Sequence, residues 1–234
     1  MKKTVLFILG FLFVVSFLGA QFWTLDFESA VGYTTSVTEF TDTYYDYWIR
    51  TDGSDHGTGA IYNGPIGSYY FAGQDLDGEG ATLPLFIDID DIDISGQTNL
   101  EFRIYLAEDQ AGDGNEDWDN ADYFHIGYDI DNSGTFTNLL WVESDDYLGT
   151  GYNGTPRIDT DFDGVGDGTE ITDTFVQFTA SIPGTGSLID IQIEFYLNSG
   201  DEDIALDNLQ LFAAGGNSLP AITNVIHTPD TDIT

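Results

Sequence analysis

The chain has 234 residues, a formal net charge of −36 and no cysteine, with 41 acidic side chains against five lysines and arginines. Such a charge argues against binding to nucleic acids, because phosphate backbones are bound by clustered Lys and Arg. The lack of cysteine excludes disulfides, which often stabilise secreted domains. We therefore expect another source of stabilisation, and bound Ca²⁺ suits an acidic extracellular protein.

Residues 1–20 have the pattern of a secretory signal peptide. Lys2 and Lys3 form its positive start, and residues 5–18 are an apolar run too short to span a bilayer comfortably. No later run is long and apolar enough for a membrane helix, so membrane insertion is not expected. The rest of the chain is predicted to be secreted, extracellular or held at the cell surface.

Residues 21–213 contain short runs of alternating apolar and polar residues, separated by Gly, Asp and Asn. This pattern predicts about ten antiparallel strands and indicates an all-β sandwich of the jelly-roll type. Two strands change phase, at Asp90–Asp91 and at Asp207–Asn208. A β-bulge at such a doublet returns both parts of a strand to the core side.

A turn between two predicted strands has two interpretations. Asp129, Asp131, Ser133 and Gly134 have the spacing of half a calcium loop. Asn-Ser-Gly is also ordinary turn chemistry, and a hairpin is the interpretation we favour.

The stretch from Asp159 to Glu170 has the most specific pattern in the sequence. Carboxylates occupy positions one, three, five, nine and twelve and a glycine occupies position six, as in the calcium loop D-x-D-x-D-G-x5-E. No helices flank it, so we expect a structural clamp between β-strands rather than an EF-hand; the alternative is a solvated acidic loop. The predicted ligands are Asp159, Asp161, Asp163, Asp167 and Glu170.

The end of the chain departs from the strand pattern. Residues 214–220 are predicted to be a linker, and residues 221–234 begin a new apolar run. We expect this tail to be the start of a further domain of the same polypeptide, or a peptide that awaits a partner strand.

Several motifs follow one another in a familiar order: LDFE, GSYYF, WDNADYFHIGYDIDNSG and IALDNLQLF. This order resembles the MAM-like and choice-of-anchor jelly rolls of secreted, multidomain Bacteroidetes-type proteins, and related calcium-containing carbohydrate-binding modules. The resemblance implies a buried structural calcium shared by Glu28 and Asp207, with Asp75 or Asp122 completing its shell.

The sequence shows no catalytic motif, so we predict that the protein is not an enzyme. His56 and His125 are not placed beside a nucleophile in any recognisable pattern, and carboxylates are too numerous for one catalytic pair to be singled out. We predict a calcium-stabilised module that binds a glycan or a surface protein, with Tyr45, Trp48 and Trp118 as stacking residues. The alternative for these rings is that they cover the core of the sandwich.

Two other functions fit the same sequence. The domain is alternatively a structural or adhesive tile of an extracellular assembly, or an accessory N-terminal domain of a secreted hydrolase. A melting temperature raised by a soluble glycan favours a binding module, whereas one raised by calcium alone favours the tile.

Overall fold

The computed structural model describes residues 19–42, 46–56, 61–109, 118–145 and 154–214. These ranges contain thirteen β-strands and no α-helix, so none of their segments is a helix that crosses a membrane. The strands are β1 (Ala20–Leu25), β2 (Thr34–Thr35), β3 (Phe40–Thr41), β4 (Tyr47–Thr51), β5 (Tyr70–Gln74), β6 (Leu85–Asp93), β7 (Leu100–Ala107), β8 (Tyr123–Ile130), β9 (Thr137–Ser144), β10 (Pro156–Asp159), β11 (Val176–Ile182), β12 (Leu188–Tyr196) and β13 (Asp203–Ala213).

The strands form two antiparallel sheets that pack as a sandwich. The seven-stranded sheet has the order β11-β7-β13-β5-β4-β3, and β1 pairs with β13 beside this path. The six-stranded sheet has the order β10-β9-β8-β12-β6-β2. This confirms the predicted all-β fold, with more and shorter strands than the sequence pattern indicated.

Alternation along the central strands decides which side chains enter the core. In β12, Ile189, Ile191, Ile193 and Phe195 are buried, while the residues between them are half-buried on the outer face. One hydrophobic cluster joins the inner faces of both sheets. Full burial of each large apolar side chain contributes about 1.5–3 kcal/mol, so this interior is the main source of stability.

Both phase changes in the sequence are bulges in the structure. Strand β6 has two residues, Asp90 and Asp91, opposite the single residue Asp190 of β12. Strand β13 changes register against β7 between Asp207 and Gln210. Each bulge keeps the apolar residues on both sides of it in the core, as predicted.

Several predictions concern residues outside the described ranges. The predicted signal peptide, linker and tail lie there, except for residues 19, 20 and 214. Tyr45 lies there as well, so its predicted contact with a ligand stays a prediction.

Candidate functional site

The outer face of the six-stranded sheet carries a row of stacked aromatic side chains. Strand pairing sets Tyr123 beside Tyr196 of β12, and it sets His125 beside Trp141 of β9. Ring centroids are 5.4 Å apart for Tyr196 and Tyr123, and 4.2 Å apart for Tyr123 and His125. They are 3.8 Å apart for His125 and Trp141, whose planes are 9° from parallel. These four rings, the aromatic row, form one stack across three strands.

Hydrogen bonds to neighbouring carboxylates hold the row in place. The Tyr123 hydroxyl donates to Glu194 Oε1 at 2.7 Å, and His125 Nε2 lies 2.5 Å from Glu143 Oε1. Burial and the Glu194 carboxylate both raise the pKa of Tyr123, so its hydroxyl keeps its proton at neutral pH. The two middle rings of the row are therefore each held by a polar contact to a carboxylate.

A groove runs beside the aromatic row on the same face. Its narrower part, about 90 Å³, lies between His125, Trp141 and the exposed ring of Phe136. Its wider part has a volume of about 470 Å³, and Phe136 and Gln192 line both the wider and the narrower part. The wider part is bordered by the carboxylates of Asp88, Asp90, Asp91, Asp129 and Asp190.

Polar groups of the groove are suited to bind hydroxyl groups. Gln192 Nε2 donates to Asp88 Oδ1 at 2.8 Å, which fixes the amide above the sheet. Burial, and then the charge of Asp190, raise the pKa of Asp90 above its ordinary value. None of the described residues that line the groove is a lysine or an arginine. This negative surface disfavours an anionic ligand and suits an uncharged one.

The predicted stacking residues Trp48 and Trp118 lie elsewhere and are fully buried. Trp48 packs edge-on against Phe71 and Phe195, each at a centroid distance of 4.7 Å. Trp118 Nε1 donates to the Asp203 carbonyl at 3.3 Å. The prediction that these indoles stack on a ligand is wrong, because neither ring has a solvent-exposed face; they cover the core instead.

The predicted calcium loop has its first three carboxylates close together. Oxygen atoms of Asp159, Asp161 and Asp163 all lie within 4.8 Å of one another. Asp159 is buried and accepts hydrogen bonds from three backbone N–H groups, those of Asp161, Phe162 and Gly164, at 2.7–3.1 Å. Oxygen atoms at this spacing fit a hard cation such as Ca²⁺.

The other two predicted ligands of the loop have protein partners in the structure. Asp167 Oδ1 accepts a hydrogen bond from Thr160 N at 3.0 Å, and this bond is the main reason that its pKa is lowered. Glu170 pairs with Arg157 Nη2 at 2.6 Å. The structure thus brings together three of the five residues that the sequence pattern nominates.

The loop is connected to the aromatic row through Phe162. This residue is the fourth of the loop, and its ring meets Trp141 edge-on at a centroid distance of 5.4 Å. Strand β10 ends at Asp159, which lies opposite Trp141 in the sheet. The acidic loop and the aromatic row are therefore neighbours on one face.

Glu28 and Asp207 also lie in one neighbourhood. Asp207 is fully buried, its Oδ2 accepts from Ile66 N at 2.7 Å, and its Oδ1 has no hydrogen-bond partner. Burial raises the pKa of Asp207 to about 7, and the Glu28 charge adds to this. Glu28 accepts from Ser68 N at 2.6 Å. The unpaired oxygen of Asp207 fits the calcium that the family resemblance implies.

The two side chains that were expected to complete that shell have other neighbours. The Asp75 carboxylate shares a hydrogen bond with that of Asp46, and the Asp122 carboxylate is grouped with Asp119 and Glu202. The charges that raise the pKa of Asp207 include those of Glu28 and Asp26.

Sequence reasoning missed the aromatic row and the groove. Tyr123 and His125 stand on the outward phase of β8, and Trp141 stands on the outward phase of β9. Aromatic residues repeated on an outward phase were the available signal, since a solvent-facing strand position is ordinarily polar.

No protein-family model matches the chain, and no curated protein matches it. Among solved structures, the chain is similar to the K1 cleaved adhesin domain of Lys-gingipain from Porphyromonas gingivalis W83, at 16% identity over 84% of this chain and 100% of that one, with a TM-score of 0.43. It is similar to the CBM22-1 xylan-binding domain of Xyn10C from Paenibacillus barcinonensis, at 12% identity over 85% and 97%, with a TM-score of 0.38. It is also similar to a Stig cyclase from Fischerella sp. TAU, at 13% identity over 79% and 86%, with a TM-score of 0.43.

These three proteins differ in what they do, so the likeness assigns no function to this chain. None of the three is described as a MAM domain, and the resemblance to MAM-like jelly rolls stays a prediction. The fold and the groove define the class of the protein at a coarser level, as an all-β sandwich with an aromatic-lined groove on one outer face.

Proposed function

We propose that the protein is a secreted, non-catalytic module that binds a neutral polysaccharide in the groove beside the aromatic row. The observation that carries the proposal is the combination, on one sheet face, of aromatic rings with carboxylate and amide groups. A sugar ring has an apolar C–H face that packs on an aromatic ring and hydroxyl groups that hydrogen-bond to such polar groups.

The carboxylates nearest the row support binding rather than catalysis. Glu194 accepts from Tyr123 and Glu143 contacts His125, so both are occupied in ordering the rings. In this proposal both carboxylates position the aromatic row, and Glu194, which lines the groove, also accepts hydroxyl hydrogen bonds with its remaining lone pairs.

We also propose that Ca²⁺ stabilises the fold at two places. Asp159, Asp161 and Asp163 would hold one ion in the loop after β10, and Asp207 with Glu28 would hold another. The first ion supplies positive charge to three converging carboxylates. Because Phe162 of the same loop contacts Trp141, an ordered loop keeps that end of the aromatic row in place.

The test is binding to a panel of uncharged polysaccharides, including xylan, mixed-linkage β-glucan and mannan, by affinity electrophoresis and calorimetry. We expect Trp141→Ala to weaken binding by at least about tenfold, which corresponds to roughly 1.4 kcal/mol. Trp23→Ala is the matched control, since Trp23 is a half-buried indole on the other sheet.

Two results would overturn glycan binding at this face. One is that no polysaccharide of the panel retards the wild-type protein, and the other is that Trp141→Ala and Trp23→Ala weaken retention equally. A melting temperature that rises with calcium and with no glycan would instead favour the structural tile of an extracellular assembly.

A further inference from the structure

Three acidic side chains meet at the end of the sandwich where β8 and β13 begin. Asp119 and Asp122 belong to the segment that leads into β8, and Glu202 directly precedes β13. One oxygen of each lies within 4.8 Å of the others. Asp122 is 0% exposed and Glu202 is 2% exposed, whereas Asp119 is half-buried. We call these three residues the rim cluster; it shares no residue with the Asp159 loop or with the Asp207 neighbourhood.

Backbone groups satisfy part of the rim cluster and leave one oxygen unpaired. Asp122 Oδ2 accepts from Asp119 N at 2.5 Å, and Glu202 Oε2 accepts from Asn198 N at 2.6 Å. Asp119 Oδ1 accepts from Ala121 N at 2.6 Å. Asp122 Oδ1 is buried and has no hydrogen-bond partner. A buried carboxylate oxygen beside a second buried carboxylate is strongly unfavourable unless a positive charge or a proton compensates it.

Protein cations do not provide that compensation within the described residues. The positively charged side chains there are three arginines, and each contacts groups elsewhere. Arg50 donates to the Glu28 carbonyl, Arg103 pairs with Glu101 and Arg157 pairs with Asp145 and Glu170. A positive charge at the rim cluster, where one is bound, therefore comes from outside these side chains.

We propose that Asp119, Asp122 and Glu202 bind a divalent cation of the hard, oxygen-seeking class, such as Ca²⁺. The cluster offers carboxylate oxygens without sulfur or imidazole, a donor set that suits Ca²⁺ or Mn²⁺ rather than soft metals. The half-buried Asp119 leaves a way in for the ion. Bound there, the cation joins the segment before β8 to the segment before β13 through their side chains.

Because the rim cluster lies next to the aromatic row, a cation bound there affects the row. Asp122 directly precedes Tyr123, the first residue of β8, and Asn198, which bonds to Glu202, follows closely after Tyr196 at the end of β12. A cation at the rim cluster therefore fixes the backbone on both sides of the Tyr123–Tyr196 pair. This role is independent of what the groove binds.

A shared proton is the competing state of the same cluster. Burial raises the pKa of Asp122 to about 10, so without a cation Asp122 keeps a proton that it shares with Glu202. An isosteric variant distinguishes the two states. Asp122→Asn keeps the shape of the side chain and supplies N–H donors, so it preserves the hydrogen bond of the proton-sharing state but removes a charged ligand of the cation.

The experiment uses the whole secreted chain and metal ions alone. Crystals soaked in Mn²⁺ are expected to show an anomalous peak between Asp122 and Glu202. In calorimetric titration with Ca²⁺, we expect Asp122→Asn and Glu202→Gln each to bind one ion fewer per chain, or to bind it at least about tenfold more weakly. Asp77→Asn is the control, because it removes the same charge from an exposed residue outside the cluster.

The proposal is overturned if the soaked crystals lack that peak, or if both isosteric variants bind as many ions as tightly as the control does. A gain in stability of Asp122→Asn without any loss of metal would show that the pair only shares a proton. If Asp122→Asn does not fold, Glu202→Gln and the wild-type crystals still decide the matter. Retention on polysaccharide is measured separately, so failure of the groove proposal leaves this result unaffected.

Discussion

Two acidic turns with the same spacing lie on the six-stranded sheet and organise their carboxylates differently. Asp129 in the β8–β9 hairpin and Asp159 after β10 each accept backbone hydrogen bonds from their own turn. In both turns the sixth residue is a glycine with positive φ, Gly134 at 79° and Gly164 at 87°. The backbone of a half calcium loop is therefore common to the two.

The difference lies in the third and fifth positions of the turns. In the hairpin, Asp131 Oδ1 accepts from Ser187 N at 2.7 Å, and the Ser133 hydroxyl donates to Asp129 at 2.5 Å. In the loop after β10, carboxylate oxygens of Asp161 and Asp163 lie within 4.8 Å of each other and of a carboxylate oxygen of Asp159. The hairpin carboxylates are held by hydrogen bonds, whereas the loop concentrates three negative charges in one place.

The pKa values of carboxylates in the two turns are shifted in opposite directions, in agreement with this difference. The Ser133 hydroxyl, more than any other group, lowers the pKa of Asp129. The Asp163 charge is the main cause that raises the pKa of Asp161. The same sequence spacing thus produces a hydrogen-bonded turn when position five is a hydroxyl, and a candidate metal site when it is a carboxylate.

The largest expected effect comes from removing the first carboxylate of each turn. We expect Asp159→Ala to lower the free energy of unfolding by about 2–4 kcal/mol in calcium, because three N–H groups lose their acceptor and the ion loses a ligand. The loss should be smaller in EDTA. Asp129→Ala should destabilise the protein by the same amount in both conditions. Urea unfolding measures all four values, and equal losses for Asp159→Ala with and without calcium would contradict the comparison.

The second-largest effect is expected when the carboxylates at positions three and five of the loop after β10 are both neutralised. Asp161→Asn combined with Asp163→Asn should abolish the part of the calcium-dependent stabilisation that the loop contributes, about 2.7 kcal/mol at a calcium concentration one hundred times the dissociation constant. In EDTA the double variant should be at least as stable as the wild type, since the repulsion that raises the pKa of Asp161 is gone. Thermal unfolding is the measurement. Asp131→Asn with Ser133→Ala is the control and should keep the full calcium response.

The smallest effect concerns the last residue of the loop pattern. Glu170→Gln should cost less than about 1 kcal/mol, because the pair with Arg157 is partly exposed and such pairs contribute little. The cost should be equal in calcium and in EDTA, as measured by thermal unfolding. A loss of stability found in calcium alone would show that Glu170 leaves Arg157 to bind the ion. The loop would then bind the ion with a fourth residue of its sequence pattern, in addition to the three that lie together in the structure.

Local patterns in the sequence predicted the fold well. Alternation located the central strands, and a phase change identified each bulge, because the period of a strand leaves only one face for the core. The hairpin at Asp131 was predicted from turn chemistry alone, and the structure has β8 and β9 paired across it.

The candidate site was much less predictable, because it depends on which strands lie side by side. Tyr196 joins Tyr123 only through the pairing of β12 with β8, which no local pattern reveals. Trp48 was predicted to stack on a ligand, yet β4 places it between Phe71 and Phe195. Aromatic content alone did not distinguish a ring that fills the core from one that faces solvent.

The pairing of β1 with β13 has a consequence for how the protein is presented. Ala20 lies opposite Ala213, so the two ends of the described chain leave from one corner of the seven-stranded sheet. The groove belongs to the other sheet. Any polypeptide joined at either end is therefore attached to the sheet opposite the groove, so that such a tether leaves the groove uncovered.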